Sequence, residues 1–147
     1  MEEEPGGVVS RLTTWKIAIK EGMDRPILGS GAGCSQYIFG MTMRDWHSIH
    51  NSFIQVFLEM GLLGLLFFVP LFILPYKQYR DFARENIKGL EAHLQRYRFI
   101  LLSFASFVIT ASFLPQAYSP VLYILSGMAL IQFQLISKLA ISLPVIG

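Results

Sequence analysis

The stretch FIQVFLEMGLLGLLFFVPLFILPY, residues 53–76, decides the fold class of this sequence. It is 24 residues long, and Gln55 and Glu59 are its only strongly polar residues. At about 1.5 Å per residue, a helix of this length reaches roughly 36 Å, which exceeds the ~30 Å hydrocarbon core of a bilayer. We therefore predict that residues 53–76 cross a membrane as one helix.

Two further apolar stretches follow, and they predict a second span over residues 99–119 and a third over residues 121–142. No charged residue lies between Phe99 and Ser137. The segment PQAYSP, residues 115–120, separates the two spans, and its prolines predict a tight helical hairpin. The predicted fold is an all-α integral membrane protein with about three transmembrane helices and an outer-face helix-turn segment before them.

The composition supports this class. Of the 147 residues, 53% are hydrophobic and only 15% are charged, whereas a soluble domain carries about 25% charged residues. The net charge of +2 is too small to indicate a nucleic-acid partner. A single cysteine, Cys34, excludes an internal disulfide and a cysteine-based zinc cage.

The distribution of charge predicts the orientation in the membrane. Residues 77–98 carry six basic and three acidic side chains, so the positive-inside rule makes this segment a cytoplasmic loop. Residues 1–50 then form an outer-face segment, and residues 51–147 form the membrane domain. The acidic start MEEEPGG has no apolar core and is not a secretory signal. We therefore expect the chain to be the C-terminal portion of a larger bundle that supplies further upstream spans.

The outer-face segment is predicted to contain a helix near residues 10–21, with an apolar face formed by Val8, Leu12, Trp15 and Ile19. The glycine-rich stretch PILGSGAG, residues 26–33, follows as a tight turn. No Lys-Ser/Thr pair follows these glycines, so the turn is not a phosphate-binding P-loop. No cofactor is predicted.

The most specific feature is HNSFIQVFLEMGLLG, residues 50–64, at the entry to the first span. The N-terminus of a helix exposes unpaired N–H groups, which favour a nearby phosphate and keep His50 neutral and able to accept a proton. Asn51 can orient a sugar hydroxyl or cap the helix. Gly61 and Gly64 leave room for another helix to pack closely.

The pattern H-N-x9-G-x-x-G, with SRLTTW at residues 10–15 and the glycine turn before it, resembles the O-antigen ligase / O-antigen polymerase family of bacterial inner-membrane glycosyltransferases. The resemblance covers roughly residues 10–72. It implies a multi-pass membrane protein with its active site on the periplasmic face. It also implies metal-independent, inverting transfer of a glycan from a polyprenyl-diphosphate carrier to an acceptor hydroxyl. By motif match, His50 acts at the acceptor hydroxyl and Arg11 holds the donor diphosphate.

Four other residues are candidates for supporting roles. Arg25 and Arg44 are further donor-binding arginines of the outer face, although membrane lipid headgroups would also attract them. His47, three residues before His50, is predicted to support the site without touching a substrate or to lie at the membrane interface. Glu59 forms a polar stripe with Gln55 and Asn51. It either belongs to a polar lining beneath the active site or pairs with a polar group on a missing helix.

Three alternatives remain open at this stage. A zinc site of Asp45, His47 and His50 lacks a fourth ligand, so no metal is predicted. The acceptor is the lipid A core for a ligase and another lipid-linked repeat for an O-antigen or exopolysaccharide polymerase, and the His-Asn pair favours the ligase. A non-enzymatic truncated or accessory membrane subunit is the alternative from a different class, and half of a transporter is weaker because no inverted repeat is visible.

Overall fold

The computed structural model describes residues 7–43, 48–85 and 89–142. Within these residues every regular element is a helix, so the all-α prediction is confirmed. The helices are α1 (Gly7–Met23), α2 (Ser35–Met43), α3 (Ser52–Phe68), α4 (Pro70–Glu85), α5 (Glu91–Phe113) and α6 (Pro120–Ser142).

Three helical stretches are long and apolar enough to cross a membrane: Ser52–Arg84, which comprises α3 and most of α4, and then α5 and α6. The protein is therefore a multi-pass membrane protein, as expected. The basic connection at residues 77–98 is itself largely helical, because α4 continues to Glu85 and α5 already begins at Glu91. Lys, Arg, Gln and Ala favour helix, and each extra residue adds a hydrogen bond to a helix that already exists.

The hairpin between α5 and α6 begins earlier than predicted. Helix α5 ends at Phe113 rather than near residue 119, and α6 begins at Pro120. Pro115 disfavours helical geometry in the residue before it, whereas Pro120 is tolerated because the first turn of a helix needs no N–H.

The described chain forms two compact units. The first contains the residues up to Val69 together with Ile109–Tyr118. Its core is built from Ala18, Phe39, Ile49 and Leu58, with the side chains of Trp15, Ile17, Ile38 and Ile54 packed against it. Helices α1, α2 and α3 therefore share one apolar centre.

Helix α1 packs on α3 through a face of small residues: Thr14, Ala18 and Gly22 are buried at successive turns. A side chain at Gly22 would place its Cβ only 2.7 Å from the Phe57 ring. Of the predicted apolar face, Trp15 packs against the core, whereas Leu12 and Ile19 are 49% and 44% exposed. Small residues face inward because they let two helix backbones approach closely.

The second unit contains Pro70–Val108 and the residues from Ser119 onward. The Phe72 ring stacks on Phe107 and meets Phe104 edge-on. The Gln132 amide donates to the His93 carbonyl at 3.2 Å and lies 3.1 Å from its Nδ1 atom. Aromatic packing and one buried polar pair thus hold α4, α5 and α6 in this unit.

Candidate active site

Helix α3 is interrupted at Gly61. The residue has φ 66° and ψ −159°, a conformation that essentially only glycine adopts. The prediction of one regular helix over residues 53–76 is therefore wrong at this point. A break inside a membrane-spanning segment frees backbone groups, and they must find partners within the protein.

The glycine turn of the outer segment supplies those partners. The Ser30 and Gly31 amides donate to the carbonyls of Leu58 and Glu59, at 2.9 and 2.8 Å. In return, the carbonyls of the turn accept from the far side of the break: Leu62 donates to Pro26 at 2.8 Å and Leu63 to Ile27 at 3.1 Å. Four backbone hydrogen bonds thus fix the register between the turn and α3.

At Gly61 the close neighbour is the glycine turn rather than a further helix. A Cβ at Gly61 would lie 2.5 Å from the carbonyl carbon of Ile27. A Cβ at Gly64 would instead collide with Met60 and lie 3.2 Å from Val56, both in the preceding part of α3. The space that the sequence reserves for a packing helix is therefore filled by the turn at Gly61.

Glu59 lies beside the break and is almost completely buried, with 1% of its surface exposed. Its carboxylate accepts hydrogen bonds from the Gly33 amide (3.0 Å), the Ser35 amide (3.3 Å), Gln55 Nε2 (3.3 Å) and the Tyr118 hydroxyl. Because α2 begins at Ser35, the carboxylate also lies at the favourable, positive end of that helix. The partners of Glu59 therefore come from the outer segment, from α3 itself and from the hairpin, and none has to come from a missing helix.

His50 is the only described residue other than glycine with a positive φ, 49°. This left-handed conformation is uncommon for a residue with a side chain, although histidine adopts it more often than most. The ring is half-buried, and its Nδ1 atom is buried without a hydrogen-bond partner among the described residues. An unpaired buried nitrogen is rare in native proteins and calls for a functional or structural explanation.

The residues on both sides of His50 are held by hydrogen bonds. Trp15 Nε1 of α1 donates to the Ile49 carbonyl at 2.7 Å. Asn51 accepts the Phe53 and Ile54 amides at 3.0 and 3.1 Å and so caps α3. Its Nδ2 atom donates to the Ser112 carbonyl at 3.1 Å. Capping is therefore observed for Asn51, and its contact with a sugar hydroxyl stays a prediction.

Ser52 is a site residue that the sequence did not indicate. It is fully buried, and its hydroxyl donates to the Leu114 carbonyl at 2.9 Å and accepts the Gln116 amide at 2.7 Å. The hairpin is thereby joined to the residue that follows the His-Asn pair. Its position next to that pair was the only available signal, because the partners are more than 60 residues away in sequence.

The predicted donor-binding arginines do not converge. Arg11 is exposed on α1, one turn before Trp15, and therefore lies towards the His50 end of the helix. Arg25 is also exposed but follows the other end of α1. The helical part of the chain between them, from Arg11 to Met23, alone spans about 18 Å. Arg44 and His47 lie outside the described residues, as does Asp45 of the zinc alternative.

No three His, Cys, Asp or Glu side chains converge on a metal-binding geometry within the part of the chain that the structure describes. Glu59, the most deeply buried ionisable group of the first unit, is engaged by four donors of the protein itself. His50 itself lies directly before Asn51, the residue that caps the N-terminus of α3.

The fold and this site define a helical, multi-pass membrane protein with a histidine fixed at the entry to a broken membrane helix. Residues 2–69 match the family model described as O-antigen ligase. The resemblance to the O-antigen ligase family is thereby confirmed for this part of the chain.

Two curated relatives agree with that family. A Rickettsia conorii protein provisionally named a polysaccharide ligase is 30% identical over 91 residues. A Rickettsia felis protein with a similar provisional name is 29% identical over 90 residues. Each alignment covers 54% of this chain and 22% of the relative, so the chain spans less than a quarter of their length. No solved structure matches the chain.

Proposed function

We propose that the protein is a membrane glycosyltransferase that moves a glycan from a polyprenyl-diphosphate carrier to an acceptor hydroxyl. His50 takes the proton of that hydroxyl as its oxygen attacks the anomeric carbon of the glycan. Arg11, with Arg44 as the further candidate, stabilises the departing diphosphate. A single displacement inverts the anomeric carbon, and arginines neutralise the leaving-group charge without a metal.

The conformation of His50 carries this proposal. The residue has φ 49° and a buried Nδ1 atom without a hydrogen-bond partner among the described residues, while both of its neighbours are held by hydrogen bonds. A non-glycine residue persists in such a conformation only when its surroundings over-determine it, and such residues cluster at active sites. A general base that is already fixed in place needs little reorganisation during reaction.

The family and the names of the relatives support a ligase- or polymerase-type role. We propose ligation, with the lipid A core as the acceptor, because the His-Asn pair at residues 50 and 51 favours the ligase. The active site would lie on the periplasmic face of the bacterial inner membrane, with the basic segment at residues 77–98 in the cytoplasm. Arg11 and His50 would then meet donor and acceptor where the periplasmic face of the inner membrane meets water.

Replacement of His50 by alanine in the intact gene of the native host tests the proposal. Loss of a general base is expected to slow transfer by about 10²–10⁴-fold. The lipopolysaccharide ladder should disappear while lipid-linked polymer accumulates. His93→Ala is the matched control, because His93 belongs to the second unit and contacts Gln132.

Each outcome of this experiment has a distinct meaning. A collapse of the ladder to single repeats would assign the protein as a polymerase. A normal ladder from a well-expressed His50→Ala variant would refute catalysis by His50 and favour a non-enzymatic membrane subunit.

A further inference from the structure

We infer that Glu59 is a positioning residue for His50, acting through the two chain segments that flank the histidine. The inference rests on the proposed function, since it gives Glu59 a role in the same transfer reaction. Glu59 need not touch a substrate for this role. Its buried carboxylate is bonded by α2, by α3 and by the hairpin between α5 and α6.

The first route leads through α2 to the residue before His50. The Gly33 and Ser35 amides bind the Glu59 carboxylate at the start of this helix. One turn later, the completely buried Phe39 packs in the same core as Ile49. A shift at the start of α2 would therefore move Phe39 and change its packing in the core that contains Ile49.

The second route leads through the hairpin to the residues after His50. Tyr118 donates its hydroxyl proton to the Glu59 carboxylate. In the same hairpin, Leu114 and Gln116 bind the Ser52 hydroxyl. Glu59 therefore holds one end of the hairpin while Ser52 holds the other, two residues beyond His50.

The geometry of His50 makes it sensitive to both routes. Its left-handed backbone conformation persists only while both flanks are held. A displacement of about 1 Å at a reacting group can slow catalysis by about 10²-fold. A small movement of α2 or of the hairpin would therefore lower the rate without removing any substrate contact.

A neutral amide cannot replace this carboxylate. All four partners of Glu59 are donors, two on each oxygen: Gly33 and Tyr118 on Oε2, Ser35 and Gln55 on Oε1. Glu59→Gln turns one oxygen into an NH₂ group, which then faces a backbone N–H in either orientation. The nearly isosteric change therefore disturbs the hydrogen bonds around residue 59 while it preserves the volume of the side chain.

The test is a kinetic double-variant cycle on the intact protein, using purified lipid-linked glycan as donor. Glu59→Gln is expected to lower kcat by roughly 10–100-fold and to leave KM for the donor within about twofold. In a His50→Ala background, the same change should have no further effect on the residual rate, because no base remains to be positioned. Gln132→Leu replaces another buried polar residue, in the second unit, and should leave kcat unchanged.

Two results would overturn the positioning role while sparing the proposed function. One is full activity of Glu59→Gln beside an inactive His50→Ala. The other is an equal fractional loss from Glu59→Gln in both backgrounds, which is the behaviour of a merely structural residue. A fully active His50→Ala would instead refute the proposed function and the positioning role together. If Glu59→Gln does not fold, Tyr118→Phe removes a single donor and should show the same coupling with a smaller loss of kcat.

Discussion

Replacement of Gly61 by alanine distinguishes a broken α3 from a continuous one by the sign of its effect on stability. In a regular helix, alanine in place of glycine stabilises by about 1 kcal/mol. At the observed φ of 66° and ψ of −159°, alanine is strained instead. Its Cβ would also lie 2.5 Å from the Ile27 carbonyl carbon and 2.7 Å from the Gly29 nitrogen.

The expected loss follows from these contacts. The backbone strain contributes about 1–3 kcal/mol. The turn must move away from α3. This movement breaks the four hydrogen bonds across the break, each of which contributes about 1 kcal/mol. Together these terms amount to about 5–7 kcal/mol, comparable with the whole stability of many proteins.

Thermal unfolding of the intact protein in detergent, followed by tryptophan fluorescence, measures this loss. Trp15 is a suitable reporter because its ring bonds to Ile49 beside the site. Gly33→Ala isolates the strain, since Gly33 has φ 78° but an added Cβ meets nothing within 4 Å. Gly40→Ala has neither strain nor a clash, because Gly40 lies in α2 with open space around it. A Gly61→Ala protein as stable as Gly40→Ala would refute the broken helix.

Two further changes probe the surroundings of His50. Ser52→Ala removes both hydrogen bonds of a buried hydroxyl and should destabilise the protein by about 1–3 kcal/mol in thermal unfolding, since the Gln116 amide and the Leu114 carbonyl still bond to each other at 2.9 Å. Ser103→Ala is its control, because that exposed hydroxyl bonds only within its own helix, and equal stability of the two variants would contradict the role of Ser52. Arg11→Gln should raise KM for the lipid-linked donor about 10-fold, and more than Arg25→Gln does, because Arg11 lies towards the His50 end of α1. A larger effect of Arg25→Gln would place the diphosphate at the other end of α1.

Patterns that arise from local chemistry could be predicted from the sequence. The three spans follow from long uncharged stretches, and the hairpin follows from Pro115 and Pro120. Asn51 was foreseen as a helix cap because it immediately precedes the apolar span, and it accepts two amides there. Each of these features depends on neighbours a few residues away.

Features that depend on distant partners could not be predicted. Glycine is common in membrane helices, so Gly61 carries no local sign of a break until the turn at residues 26–31 lies against it. Tyr118 reaches Glu59 across 59 positions of sequence. The inward face of α1 was missed because a search for large apolar residues overlooks Thr14, Ala18 and Gly22, which are buried because they are small.

The break in α3 at Gly61 also bears on how the chain enters the membrane. An apolar segment crosses into lipid most readily as a regular helix, whose backbone groups bond to one another. Glycine is compatible with that regular helix and with the broken form, whereas a residue with a side chain is restricted to the first. The turn at residues 26–31 precedes α3 in the chain and is therefore synthesised first. Gly61 thus allows α3 to enter the membrane as a regular helix and to break when the turn at residues 26–31 binds to it. Membrane insertion and folding of the site can then be successive steps.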